Sequence, residues 1–221
     1  MAMALILSVP RRLVEGDSRA RSGNWTGWSP TGMLGHRING KRLGIIGMGQ
    51  IGQAIARRAR GFGMSVHYHN RNAVHPAIEA ELEATYWDNL DEMLRRMDIV
   101  SVNCPYTEAT KGLVSAERLA LMSEHAYLVN TARGEIVDVQ ALARALETGA
   151  IAGAGLDVYA DEPSAGEGAF SSDLAGHPNT CGTHHIGAST DQAQNAVSDG
   201  VLDVIDAFAG GTVMNCVNGQ G

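Results

Sequence analysis

Leu43-Gly44-Ile45-Ile46-Gly47-Met48-Gly49-Gln50-Ile51-Gly52 is the stretch that decides the fold of this chain. Its apolar opening, residues 43–46, predicts a buried strand. The glycine run Gly47-x-Gly49-x-x-Gly52 follows directly. Beyond it Ile51, Ala54, Ile55 and Ala59 recur at helical spacing. Strand, glycine turn and helix in that order form the dinucleotide-binding fingerprint. Gly47 permits the tight turn, Gly49 lets backbone approach a pyrophosphate, and Gly52 allows close helix–strand packing. The free amides of the helix N-terminus then face the anion. A chain with 27 glycines produces some such triplets by accident. The competing reading is therefore a glycine turn with no ligand, and the placement between strand and helix argues against it.

Working outward, 221 residues suffice for one large or two small domains, and 44% hydrophobic with 19% charged residues is a globular composition. No apolar run approaches the roughly 20 residues that span a bilayer, so no membrane partner is expected. The apolar start, residues 1–7, lacks a basic n-region and runs into Pro10-Arg11-Arg12, a poor signal peptide. Cys104, Cys181 and Cys216 form no CxxC pair, which favours reduced thiols and a cytoplasmic location. A formal charge of −7 opposes a general nucleic-acid surface. The eight histidines include no HExxH and no Cys/His set, so no metal is expected.

Along the chain, apolar runs alternate with helical patterns. Strands are predicted at residues 64–68, 98–103, 126–130, 154–158 and 180–184. Asn89 with Glu92 resembles a capping box ahead of Leu90, Met93, Leu94 and Met97. Ser115 caps a short helix through Met122, and Asp138 caps one carrying Leu142 and Leu146 that stops at Gly149. A final helix from about Thr190 carries Ala193, Val197, Val201, Leu202, Ile205 and Phe208 on one face and ends at Gly210-Gly211. Residues 22–42 read as an arm or linker. Such alternation predicts an α/β fold, a doubly wound parallel sheet of Rossmann type covered by helices on both faces.

In these sheets ligands bind beyond the carboxyl ends of the strands. After the second strand stands His69-Asn70-Arg71-Asn72, with Asn70 18 residues past Gly52. An acidic residue near this point would take the ribose hydroxyls of NAD. Here the position is neutral and a guanidinium follows, which removes repulsion against a 2′-phosphate and offers it a bidentate partner. The expected cofactor is therefore NADP or NAD, with NADP favoured. The competing reading makes Arg71 an ordinary solvated arginine and leaves Asn70 on the ribose hydroxyls.

Later loops carry Asn130-Thr-Ala-Arg133-Gly134-Glu135, then Gly155-Leu-Asp157-Val-Tyr-Ala-Asp-Glu162-Pro163, then His184-His185-Ile-Gly187-Ala-Ser-Thr190. With Gly44-Ile-Ile-Gly-Met-Gly, Cys104-Pro105 and a helix over residues 4–13, these runs resemble the D-isomer-specific 2-hydroxyacid dehydrogenases. Within that family the chain is most similar to the glyoxylate and hydroxypyruvate reductases, over nearly its whole length.

The resemblance implies that Arg133, Glu162 and His185 are catalytic. A planar guanidinium suits a 2-keto acid, whose carboxylate and carbonyl it can hold and polarise. An imidazole suits the proton needed at the nascent alkoxide, with Glu162 on its other nitrogen favouring the protonated form. The resemblance also implies that Asp157 holds the nicotinamide carboxamide, with Thr131 and Gly187 nearby. Pro105 shapes the cofactor side of the cleft, and Gln50, Ile51, Cys104, Thr110 and Ala132 complete it. Each has a plainer rival: Arg133 as a surface ion-pair partner, Asp161 in place of Glu162, His184 in place of His185. The family pattern selects Glu162 and His185 and leaves His184 structural. His67, His69 and His75 read as strand-end or surface residues, and Trp25 and Trp28 as packing an arm.

Family members begin with a substrate domain of about a hundred residues ahead of the helix that opens here, which puts the activity of this short chain in doubt. The expected organisation is an N-terminal helix and arm at 1–30, a dinucleotide-binding domain at 31–190, and a returning helix and tail at 191–221. The family also implies a homodimer through the arm and a small 2-keto or 2-hydroxy acid as substrate. Two functions remain open on the sequence: a hydride-transferring oxidoreductase, or an inactive NAD(P)-binding module that serves as a redox-sensing interaction protein.

Overall fold

The computed structural model describes residues 1–163 and 170–216. The first unit, Met1–His185, opens with helices α1 (Ala2–Ser8) and α2 (Leu13–Arg21). Then come β1 (Arg42–Ile46), α3 (Gln50–Gly61), β2 (Ser65–His69), α4 (Pro76–Leu82) and β3 (Ala84–Tyr86). The second half runs α5 (Leu90–Leu94), β4 (Ile99–Val102), α6 (Ala116–Leu119), β5 (Tyr127–Asn130), α7 (Val139–Glu147), β6 (Gly153–Leu156), α8 (Asp173–Gly176) and β7 (Thr180–Gly182). The seven strands form one parallel sheet in the order β3-β2-β1-β4-β5-β6-β7. The parallel α/β architecture expected from the alternation is present.

A parallel sheet buried on both faces needs near-continuous apolar strands, and β4, β5 and β6 are buried at every position. One core lies under α5, α6 and α7 and includes Ile46, Met93, Val102, Leu128 and Leu142. The other lies under α1, α3 and α4 and includes Ile6, Ile45, Ile55, Tyr68 and Val129. Each fully buried Ile or Leu contributes about 1.5–3 kcal/mol by leaving water. Local caps fix the helix starts. Asn89 Oδ1 accepts the amides of Asp91 and Glu92, and Asp138 Oδ1 accepts that of Ala141 at 2.9 Å.

The structure corrects several local expectations. The single helix over residues 4–13 is two helices, broken where Arg12 adopts φ 52°, ψ 42°. The helix capped by Asn89 ends at Leu94, so Met97 reaches the core from the following turn. The helix capped by Ser115 ends at Leu119, short of Met122. The buried face of α3 is Gly52, Ile55, Ala56 and Ala59, and Ile51 is exposed. Trp25 and Trp28 are 64% and 81% exposed and pack no arm. The strand predicted at 180–184 stops at Gly182, and α2, α4, β3 and α8 were not anticipated.

The second unit, Ile186–Gly221, holds α9 (Asp191–Ala209), capped by Thr190, whose hydroxyl accepts the Ala193 amide at 3.1 Å.

Candidate active site

Strand register places the site. Ile46 pairs with His69 on one side and Val102 on the other; Val102 pairs with Asn130, Asn130 with Leu156, and Leu156 with Gly182. These residues form one row across the sheet at its carboxyl edge. Every candidate loop of the first unit leaves from that row: Asn70-Arg71, Gly47–Gly52, Cys104-Pro105, Thr131–Arg133, Asp157 to Glu162, and His185. Strand order reverses between β1 and β4, which makes their joint edge the switch point where such sheets bind ligands.

At that point Gly47 has φ 101°, and a Cβ there would lie 2.5 Å from the Cys104 amide nitrogen. Gly52 faces the Gly47 carbonyl closely enough that a side chain would collide with it. Gly49 opens onto space, and no side chain caps the amides at the start of α3. Asn103 Oδ1, beside this turn, is buried and has no hydrogen-bond partner among the described residues, while its Nδ2 donates to Ser101. A glycine cradle, free amides and an orphaned acceptor fit a pyrophosphate-bearing nucleotide.

Around the cradle, Asn70 Oδ1 accepts the Met48 amide at 2.8 Å, and Arg71 is exposed without an ion-pair partner among the described residues. Cys104 is half-buried, and burial pushes its thiol above the usual range. The Thr110 hydroxyl donates to the Pro105 carbonyl at 2.8 Å and so braces that loop. Gln50 and Ile51 are exposed on the first turn of α3.

Farther along the row, Asn130 is 1% exposed and brackets the next turn, accepting the Ala132 amide at 3.0 Å and donating to the Arg133 carbonyl at 2.8 Å. The Thr131–Arg133 backbone is thereby fixed. The Arg133 guanidinium is exposed, bonds the Ala132 carbonyl at 2.6 Å, and pairs with no carboxylate among the described residues. Asp157 is a buried carboxylate that accepts the Thr183 hydroxyl at 2.6 Å. Its main-chain carbonyl accepts the His185 amide at 2.7 Å. That bond holds His185 at φ 59°, a left-handed conformation that costs a non-glycine residue about 1 kcal/mol or more.

Glu162 Oε2 lies 2.7 Å from His185 Nδ1, and Oε1 accepts the Tyr159 amide at 2.8 Å. Both side chains, with His184, line a cavity of about 570 Å³ walled by Tyr159 and Phe170. His184 is an exposed residue of that cavity wall. Gly187 belongs to the second unit. Thr183, the Tyr159 amide and the Asn130 bracket went unnoticed in the sequence. Asn130 and Tyr159 lie in runs that the sequence marks, and Thr183 falls within the strand expected at 180–184. No group of three or more His, Cys, Asp or Glu suited to a metal occurs among the described residues.

The family model for "D-isomer specific 2-hydroxyacid dehydrogenase, NAD binding domain" matches residues 3–187. A glyoxylate reductase of Thermococcus litoralis is 42% identical over 223 residues, covering 99% of this chain and 65% of its own length. A glycerate dehydrogenase of Hyphomicrobium methylovorum is 39% identical, covering 97% of this chain and 65% of itself. The crystal structure of a glyoxylate reductase from Paecilomyes thermophila superposes with a TM-score of 0.87 at 38% identity, covering 98% of this chain and 63% of its own. The chain thus spans a little under two thirds of the length of these relatives.

Proposed function

The chain belongs to the D-isomer specific 2-hydroxyacid dehydrogenases, and from that membership we propose that it reduces a small 2-keto acid of the glyoxylate or hydroxypyruvate type with NAD(P)H. The observation that carries the reading is the 2.7 Å contact of Glu162 with His185, on the same sheet edge as Arg133 and the glycine cradle.

When bound, a reduced nicotinamide supplies hydride to the substrate carbonyl carbon. Arg133, whose guanidinium pairs with no carboxylate among the described residues, holds the substrate carboxylate and polarises the neighbouring carbonyl. His185 gives a proton from Nε2 to the carbonyl oxygen, and in the reverse direction takes it back. Glu162, on Nδ1, fixes the ring orientation and offsets the positive charge of the imidazolium. Asp157, which accepts the Thr183 hydroxyl, holds the carboxamide of the cofactor in this reading. Gly47, Gly49, Gln50, Ile51 and Gly52 take the pyrophosphate; Cys104, Pro105, Thr110, Thr131 and Ala132 line the rest. A neutral Asn70 beside Arg71 supports NADP over NAD.

Exposed Leu13, Val14, Trp25, Trp28 and Leu34 support a second copy of the chain as partner. The free thiols of Cys104 and Cys181 support the cytoplasm, and no described helix is long and apolar enough to cross a membrane.

The test follows the absorbance of NADPH and NADH with glyoxylate and with hydroxypyruvate. Turnover that disappears in His185→Ala while cofactor binding persists is the expected result. Tight cofactor binding by the wild-type chain with no turnover overturns the reductase and leaves a binding module.

A further inference from the structure

The segment between β2 and α4, residues 70–75, is pinned at both ends and open in the middle. At its start, Asn70 Oδ1 accepts the Met48 amide of the glycine turn at 2.8 Å, and the Asn70 carbonyl accepts the Tyr86 hydroxyl at 3.2 Å. At its far end, the Val74 amide donates to the Tyr68 hydroxyl at 2.9 Å. That hydroxyl in turn donates to Glu79 Oε1 at 2.6 Å, on α4. Between the pins, Arg71, Asn72 and Ala73 are exposed. The arc thus presents the Arg71 guanidinium on a backbone whose two ends are already fixed.

Tyr68 is fully buried in β2, its ring 5.3 Å from that of Tyr86. A buried phenol needs a polar partner for its tip, and this one serves two elements at once. Burial, followed by the hydrogen bond to Glu79, pushes its pKa up to about 12, so the hydroxyl keeps its proton throughout the neutral range. An apolar ring of the same size would fill the core equally well. What the hydroxyl adds is the tie between the arc and α4.

We propose that Tyr68, acting through Val74 and Glu79, is a positioning residue for cofactor selection: it presets the Asn70–Val74 arc so that Arg71 and the Asn70 side-chain amide meet the 2′ substituent of the adenosine ribose. The inference rests on the nucleotide-binding reading above. With its Oδ1 committed to the Met48 amide, Asn70 offers the ligand the donors of its Nδ2, and donors suit a phosphate oxygen. Fixing backbone ahead of binding removes ordering cost from the complex, and that saving falls on the contact the arc makes.

The experiment is calorimetric titration of NADPH and NADH into wild type, Tyr68→Phe, Glu79→Ala and Glu79→Gln, with melting temperatures of each variant alone. Tyr68→Phe, which removes the hydroxyl's bonds to both Val74 and Glu79, should weaken NADPH about five- to tenfold, the equivalent of one buried hydrogen bond in the complex, and NADH by clearly less. Glu79→Ala should shift the NADPH-to-NADH ratio the same way, whereas Glu79→Gln, which keeps an acceptor for the phenol, should stay near wild type. A ratio unchanged in Tyr68→Phe and Glu79→Ala overturns the proposal, as does an equal loss of both cofactors that tracks a fallen melting temperature. If Tyr68→Phe does not fold, the Glu79 pair decides by the same criterion. A wild-type chain that binds neither nucleotide overturns the underlying reading, a result separate from binding with an unmoved ratio.

Discussion

Glu162 spans two partners, with Oε2 2.7 Å from His185 Nδ1 and Oε1 2.8 Å from the Tyr159 amide nitrogen. The carboxylate is therefore held by the main chain as well as by the imidazole. Its second anchor keeps the acceptor in place as the ring changes charge. With Nδ1 occupied, the proposed proton transfer falls to Nε2.

Glu162→Gln separates charge from shape. The amide keeps the volume and an acceptor, yet gives up the negative charge that offsets an imidazolium. We expect kcat for glyoxylate to fall about 100-fold with cofactor affinity unchanged, in line with the usual loss of general acid–base assistance. Steady-state kinetics beside cofactor titration checks this, and a kcat within twofold of wild type would remove Glu162 from the proton-transfer apparatus.

The glycine turn predicts a sharp steric outcome. Gly52→Ala drives a methyl group into the Gly47 carbonyl, and Gly47→Ala adds strain at φ 101° to a collision with the Cys104 backbone. Backbone atoms on both sides cannot yield as a flexible side chain would. Each variant should bind NADPH at least tenfold more weakly in calorimetry, with Gly47→Ala also melting lower. Gly61→Ala, at the end of the same helix with nothing within 4 Å, is the control and should bind normally.

These glycines illustrate what the sequence makes legible. The strand, turn and helix around Gly47 each carry their own local signal, and the three agree. The run containing Asn130 and the His185 segment fall at strand ends for the same reason. The α2 break at Arg12 and the three-residue β3 were hidden, because neither has a period to detect. Met97 kept a helical spacing past the end of α5, since the turn after Leu94 still delivers its side chain to the core beside Gly44. The Tyr68–Glu79 and Thr183–Asp157 bonds were invisible for a different cause: residues 11 and 26 apart in sequence meet only through the sheet.

Arg71→Ala tests which nucleotide the arc favours. The guanidinium has no other partner to lose among the described residues, so its removal costs the fold little. NADPH binding should weaken by about 1.5–3 kcal/mol, the range for a hydrogen bond to a charged group, while NADH changes by less than a third of that. An unchanged ratio of the two affinities in calorimetry would return Arg71 to an ordinary solvated arginine.

The pH dependence of stability has an identifiable source at the opposite edge of the sheet. Asp98, ahead of β4, is partly buried, which alone would raise its pKa. The Arg42 side-chain and backbone hydrogen bonds at 3.1 and 2.8 Å, with the charges of Arg42 and Lys41, outweigh burial and hold the carboxyl below its ordinary value. A folded pKa lying under the unfolded one means the unfolded chain takes up the proton first as pH falls. The contribution of Asp98 is therefore complete above the unfolded carboxylate pKa of about 3.9 and is lost as pH drops through the folded value. His67, on β2, is lowered as well, by burial and then by Arg42, so it withdraws stability as pH falls below its ordinary value of about 6.5. Two windows follow, an upper one from His67 and a lower one from Asp98. Urea unfolding across that range should give a midpoint that declines in both. His67→Gln should flatten the upper window alone and Asp98→Asn the lower alone, the latter with a reduced midpoint at neutral pH. Parallel curves for wild type and both variants would show that neither group links protonation to folding.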